Sequence, residues 1–220
     1  MDTERFQIVA STYDLTQAPS ASEYADYIEF RMDLVDNPLE EIQRYSGPLP
    51  LIVTNRIQDE GGKATSGTQR LEDLIAASKY DIVLAVDIEL ATVKAGNGDE
   101  VLRAVDQQNI DTIISSHNLE TTPSKSVMKN LLRSACEYGT IGKLAVTPET
   151  KTDILDLLAV TESLNQRRIA TIGMGEIGRI SRIIAPYFGS DMGYAPIRQE
   201  SNTAPGQYEL SRFYRLLETI

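Results

Sequence analysis

Short runs rich in Val, Ile and Ala recur along the chain at residues 7–11, 27–31, 49–54, 81–87, 112–116, 143–146, 168–172 and 192–195. Several are apolar at successive positions rather than alternating, the pattern of parallel strands covered on both faces. The intervening stretches carry apolar residues at helical spacing, with recognisable ends. Asn37-Pro38 offers an N-cap and a proline at the first helical position, and Glu40 and Glu41 follow in the first turn. Thr122-Pro123 repeats that start, and Gly139 closes the helix it opens. Asp153 precedes the stripe Ile154, Leu157, Leu158 and Leu164. A last helix follows Pro205-Gly206 and carries Leu210, Phe213, Leu216 and Leu217.

Strand and helix patterns alternate almost from end to end, and no Pro/Ser/Gly-rich linker, low-complexity tract or charge block divides them. The expectation is one domain over residues 1–220, an α/β chain folded as a single (β/α)8 TIM barrel. In that architecture chemistry gathers at the C-terminal ends of the strands. The polar residues interrupting the apolar runs lie mostly there. Glu29 and Arg31 close the second run, Arg56 and Glu60 follow the third, and Asp87 and Glu89 end the fourth. His117 ends the fifth, and Lys143 lies within the sixth.

Composition narrows the partners. A formal charge of −11 argues against nucleic acid or an anionic membrane, both of which call for basic surface. No apolar run approaches the ~20 residues that span a bilayer. Met1-Asp2-Thr3-Glu4-Arg5 lacks the layout of a signal peptide. The one cysteine, Cys136, forbids an internal disulfide and fits a reducing cytoplasm; on a helix with Met128, Leu131, Leu132 and Ala135 it reads as packing. Both a monomer and a homodimer are compatible with the sequence.

The single histidine and the strand lysine carry the candidate chemistry. Imidazole can take and give a proton near neutral pH. A lysine among apolar neighbours loses solvation of its charged form, so the neutral amine becomes available to attack a carbonyl. Together, His117 and Lys143 on successive β/α units are suited to Schiff-base catalysis. Gly173-Met174-Gly175-Glu176-Ile177-Gly178 has the form of a dinucleotide fingerprint. It lies too near the chain end for a Rossmann half, and Ala195-Pro196-Ile197 offers no acidic residue on the following strand. Those glycines are expected instead to let backbone approach an anionic group of a small ligand. One histidine and one cysteine cannot form the usual zinc sets, so no metal is expected.

In sequence order, Glu29-Phe30-Arg31-Met32-Asp33, Thr54-Asn55-Arg56 with Glu60-Gly61-Gly62, Asp87-Ile88-Glu89 and Ser116-His117-Asn118 are followed by three further motifs. These are Gly142-Lys143-Leu144-Ala145-Val146, Met174-Gly175 through Ser181-Arg182, and Thr203-Ala204-Pro205-Gly206-Gln207. Together they resemble the type I 3-dehydroquinate dehydratase family, from Gln7 to Gln207. The resemblance implies a hydro-lyase of the shikimate pathway, the route to aromatic amino acids, that converts 3-dehydroquinate to 3-dehydroshikimate with no external cofactor. By the same resemblance Lys143 forms the imine, His117 is general base and then acid, and Glu60 orients the imidazole. Arg182 would clamp the substrate carboxylate, with Arg179 a turn away as the competitor. Thr203 and Gln207 would close over the site, while Glu29, Arg31 and Arg56 would hold ring hydroxyls. Asp87 and Glu89 receive no role. Three departures stand out. Ser116 replaces a bulkier residue, Thr203 replaces a serine, and the segment between the first two strands is short. The rivals are a class I aldolase-like barrel, a non-catalytic barrel that binds small anions, and a dinucleotide-dependent oxidoreductase.

Overall fold

A computed structural model describes residues 6–198 and 206–219. All eight apolar runs are strands: β1 Gln7–Thr12, β2 Tyr27–Arg31, β3 Leu51–Thr54, β4 Val83–Glu89, β5 Asp111–His117, β6 Ile141–Val146, β7 Ile169–Gly173 and β8 Met192–Pro196. They form one sheet in the order β7-β6-β5-β4-β3-β2-β1-β8, every ladder within it parallel. The ends of that order meet where the Asp191 N–H donates to the Ile169 carbonyl at 2.7 Å, so the sheet is a nearly closed barrel.

Helices cover the outside: α1 Pro38–Arg44, α2 Thr68–Ala77, α3 Leu90–Lys94, α4 Asp99–Gln108, α5 Lys125–Tyr138, α6 Lys151–Glu162, α7 Gly175–Gly178, α8 Ser181–Ile184 and α9 Leu210–Leu217. Between β1 and β2 a 3-10 turn, Leu15–Ala21, takes the place of a helix, in keeping with the short segment there. Two helix starts differ from expectation. The helix expected after Thr122-Pro123 begins at Lys125 with Ser124 as cap. α6 begins at Lys151; Thr150 is its N-cap, and Asp153 is the third helical residue. Asp153 accepts from the backbone of Thr150 while Thr150 accepts from Asp153, a reciprocal capping box. An acid three residues inside the helix serves that box as well as one at the boundary would serve a simple cap.

Inside the barrel, alternation along each strand sorts the side chains into layers. Val9, Tyr27, Ile52, Ala85, Ile113 and Ile141 belong to one buried apolar cluster and make a floor. Two residues further along the same strands stand Ser11, Glu29, Thr54, Asp87, Ser115 and Lys143, all buried. The outward positions, such as Ile28, Phe30, Val53, Val86 and Ile114, join the cluster that packs beneath the helices. The apolar floor thus raises a polar layer to the C-terminal half of the barrel.

Candidate active site

Lys143 sits in the polar layer on β6, and its backbone pairs in register with Ser115 of β5. Its ammonium donates to Asp87 Oδ2 at 2.9 Å, lies 3.5 Å from Glu29 Oε1, and stands 4.0 Å from the centroid of the Tyr194 ring. The sequence suggested apolar neighbours for this lysine. Gly142 and Leu144 do flank it, but strand alternation turns Leu144 outward and aims Lys143 at carboxylates contributed by other strands. To attack a carbonyl, the amine needs a base to take its proton.

That base is close by in the fold. His117, on the same face of β5 as Ser115, is two residues nearer the barrel mouth. Its Nδ1 lies 2.7 Å from Glu60 Oε2, and its backbone N–H donates to the same oxygen at 3.0 Å. Burial pushes the imidazole well below its usual range, with Arg56 and Lys143 adding to the effect. The ring is therefore neutral at pH 7, and with Nδ1 held by Glu60 its Nε2 is left for the cavity. Burial also lifts the Glu60 carboxyl to about 7, Arg56 opposing and Glu89 and Asp87 reinforcing. Glycine shapes the turn that delivers Glu60. Gly61 has φ +84°, and a Cβ on Gly62 would run into the Arg56 carbonyl.

Arg56 ties the layers together. Its guanidinium donates to Asp87 Oδ1 at 2.6 Å, to Ser115 Oγ at 2.6 Å and to Glu89 Oε1 at 3.1 Å. Burial opposes its charge, but Asp87, Glu89 and Glu60 outweigh that and hold it firmly protonated. Asp87 also accepts from Ser115 Oγ at 2.6 Å. Burial works against its charge too, yet Arg56 and Lys143 hold the carboxyl well below the usual range. Glu89 pairs with Arg70 at 2.9 Å as well. Glu29 accepts from Ser11 at 2.7 Å and from Thr54 at 3.1 Å.

A cavity of about 640 Å³, counted to its open mouth, joins these groups. Glu29, Arg31, Arg56, Glu60, His117, Lys143, Arg182 and Gln207 all line it, so eight of the nine residues singled out from sequence converge. Thr203 lies outside the described residues. Arg31 is held by a two-point pair with Asp33 at 2.8 and 2.7 Å. Arg182 on α8 donates to the Tyr194 carbonyl at 3.5 Å. Burial, reinforced by Arg179, brings its guanidinium down to about 10, and a guanidinium can meet a carboxylate through two parallel N–H donors. Arg179 instead stacks 4.0 Å over the Tyr208 ring, and Arg182, not Arg179, is the one of the two on the cavity wall. Two of the motif's glycines serve packing, while Gly175 adopts φ +70° with open space where a Cβ would stand. A Cβ at Gly173 would sit 2.6 Å from Ser181 Oγ, and one at Gly178 would strike the Gly173 backbone. α7, which follows the first of these glycines, is only four residues long.

Asp87, Ser115 and Tyr194 were not singled out as site residues from sequence. Asp87 and Ser115 stand two residues after an apolar floor residue of their own strand, as Lys143 does, and Tyr194 follows Met192 in the same way. Among the described residues no group of three or more His, Cys, Asp or Glu is arranged to hold a metal ion.

A family model for type I 3-dehydroquinase matches residues 7–220. A 3-dehydroquinate dehydratase of Halobacterium salinarum is 43% identical over 225 residues, covering 100% of both chains. One from Haloarcula marismortui is 40% identical and covers 99% of this chain and 97% of its own. The crystal structure of a type I 3-dehydroquinate dehydratase from Clostridium difficile, solved with covalently modified comenic acid, superposes with a TM-score of 0.85 at 27% identity, covering 99% of this chain and 93% of that one. The chain belongs to the type I 3-dehydroquinase family.

Proposed function

We propose that this chain dehydrates 3-dehydroquinate to 3-dehydroshikimate through an imine on Lys143, with His117 moving the protons. The observation that carries this reading is one cavity lined by a buried strand lysine and by a neutral histidine held by Glu60. Lys143 gives a proton to His117 and attacks the ketone; a second amine proton passes to the former ketone oxygen, and His117 returns the first to that hydroxyl, which leaves as water as the iminium forms. His117 then takes the proton α to the iminium. The electrons of that C–H bond enter an enamine, which expels the hydroxyl on the adjoining carbon. The departing oxygen leaves as water with the proton held by His117. Hydrolysis of the conjugated iminium returns Lys143.

Glu60 holds Nδ1 and balances the imidazolium while it exists, as the third member of a triad does. Arg182 takes the substrate carboxylate, Glu29, Arg31 and Arg56 hold ring hydroxyls, and Gln207 adds a hydrogen bond from the cavity wall. A relative solved with covalently modified comenic acid accords with covalent chemistry in this barrel. A reducing cytoplasm suits the lone, half-buried Cys136. Among the described residues no helix is long and apolar enough to cross a membrane.

The test is intact mass after incubation with 3-dehydroquinate and borohydride, followed by peptide mapping and a turnover assay. A reduced adduct confined to the peptide carrying Lys143, together with turnover, is the expected result. A folded protein that forms no adduct and shows no turnover sinks the proposal.

A further inference from the structure

Resting on that reading, we infer that Asp33 is a positioning residue, which sets the direction from which Arg31 meets a ring hydroxyl of the substrate. Arg31 closes β2 and lines the cavity, whereas Asp33, on the 3-10 turn Met32–Leu34 that follows, has no place in the cavity wall. The Asp33 side chain is nevertheless fully buried. Its Oδ1 accepts from Arg31 Nε at 2.8 Å and its Oδ2 from Arg31 Nη2 at 2.7 Å. The carboxylate is itself held by a second segment, because the Lys63 N–H donates to Oδ2 at 3.1 Å. That N–H belongs to the connection between β3 and α2, three residues after Glu60.

A guanidinium ends a long side chain, and an unanchored one samples many rotamers. Two parallel hydrogen bonds to one carboxylate fix both the place and the plane of this one. They occupy the Nε and Nη2 edge, so Nη1 keeps both its hydrogens clear of Asp33 for another acceptor. Lys63 steadies the carboxylate from the segment that delivers Glu60, which refers Arg31 to the same frame as the Glu60–His117 pair. An arginine ordered in advance has less freedom to lose when substrate binds. An amide in place of the carboxylate cannot reproduce the arrangement. Three N–H donors converge on two oxygens, and an amide NH2 at either place sets donor against donor.

Steady-state kcat/KM for 3-dehydroquinate is measured in a double-mutant cycle of Asp33→Asn and Arg31→Met, the methionine keeping an apolar stem without the guanidinium. In the otherwise native protein, Asp33→Asn is expected to lower kcat/KM about tenfold, the order for weakening one hydrogen bond to a charged group. In the Arg31→Met protein the same change should cost less than about twofold, because the group it positions is gone. The pH profile of kcat/KM should keep its shape in Asp33→Asn, since the contact between Glu60 and His117 stays in place. Equal losses in both backgrounds, no loss in the native background, or a displaced pH profile overturns the inference, the first and last by showing that Asp33 acts other than through Arg31. Should Asp33→Asn not fold, Asp33→Glu, which keeps the charge and moves it by one methylene, takes its place in the cycle with the same expectations. Absence of turnover and of a Lys143 adduct in the unaltered protein is the separate result that removes the proposed function, and this inference with it.

Discussion

Asp87 holds Lys143 at 2.9 Å with one carboxylate oxygen while its other oxygen takes hydrogen bonds from Arg56 and Ser115, each at 2.6 Å. One buried carboxylate thus fixes two buried cations, the lysine and the arginine that also reaches Glu89. The three come from different strands or strand ends, so the constellation is a property of the closed barrel and of no single segment. Rigid support of this kind keeps a nucleophile within reach of its target across the reaction.

Asp87→Asn should therefore damage both stability and activity. Removing one partner of a buried charge cluster leaves the others uncompensated, typically at about 3–5 kcal/mol. A urea denaturation series at pH 7 reads the loss directly. The sign with pH follows from the depressed carboxyl: its contribution is present above the ordinary 3.8 of an unfolded aspartate and is lost as pH falls through the lower folded value. The difference between native protein and Asp87→Asn should shrink in acid. A difference that grows on acidification is incompatible with this account.

Glu60→Gln should do the reverse to stability. Burial lifts the carboxyl from 4.5 to about 7, so the folded state holds its proton more tightly than the unfolded chain does. A raised acid favours folding below the unfolded value, and that advantage is lost as pH climbs through about 7. At pH 8 the native protein carries a buried, ionised Glu60, and the neutral amide relieves it by on the order of 1–3 kcal/mol. At pH 4 the two proteins should be equally stable. Thermal melts at both pH values check the pair of outcomes, with kcat expected to fall on the order of 10²-fold in the variant.

Much of this was legible in the chain. All eight strands were found from apolar runs because a parallel barrel buries both faces of its strands and leaves little ambiguity of period. Boundaries slipped by up to two residues where turn and strand share residue types, as at Leu49 and Asp81. His117, Lys143 and Glu60 stood out through residue type, strand-end position and family motif. The surroundings of Lys143 were harder. A strand's own sequence shows its neighbours along the chain, whereas the groups that touch the Lys143 ammonium arrive sideways as Asp87, Glu29 and Tyr194. Ser115 looked like an ordinary strand serine, and its role depends on a register that pairs it with Lys143.

The pH dependence of kcat/KM should report the Glu60–His117 pair. With the imidazole pushed well down and the carboxyl pushed up to about 7, both changes from burial, the group that titrates near neutrality is the carboxyl side of the pair. Below about pH 7 that carboxyl is protonated and cannot balance an imidazolium, so kcat/KM should fall tenfold per pH unit on the acid side. In Glu60→Gln the acid limb near 7 should vanish, leaving any fall to the lower pKa of His117. An unchanged limb in that variant would assign the titration elsewhere.

Lys143→Ala and His117→Ala separate the two halves of the mechanism, because one residue bonds to the substrate and the other only moves protons. Without Lys143 there is no amine on the polar layer's β6 position, so both the borohydride-trapped adduct and turnover should disappear. Without His117 the amine and its anchor Asp87 remain, and the lysine retains a slower route to the ketone through solvent. Some adduct should then accumulate while turnover drops about 10²–10⁴-fold, the range for loss of a general acid–base. Mass spectrometry of trapped protein and a steady-state assay on the same samples give both numbers together. Near-native turnover in Lys143→Ala would rule out the imine route, and near-native turnover in His117→Ala would hand the proton transfers to Glu60 or to water.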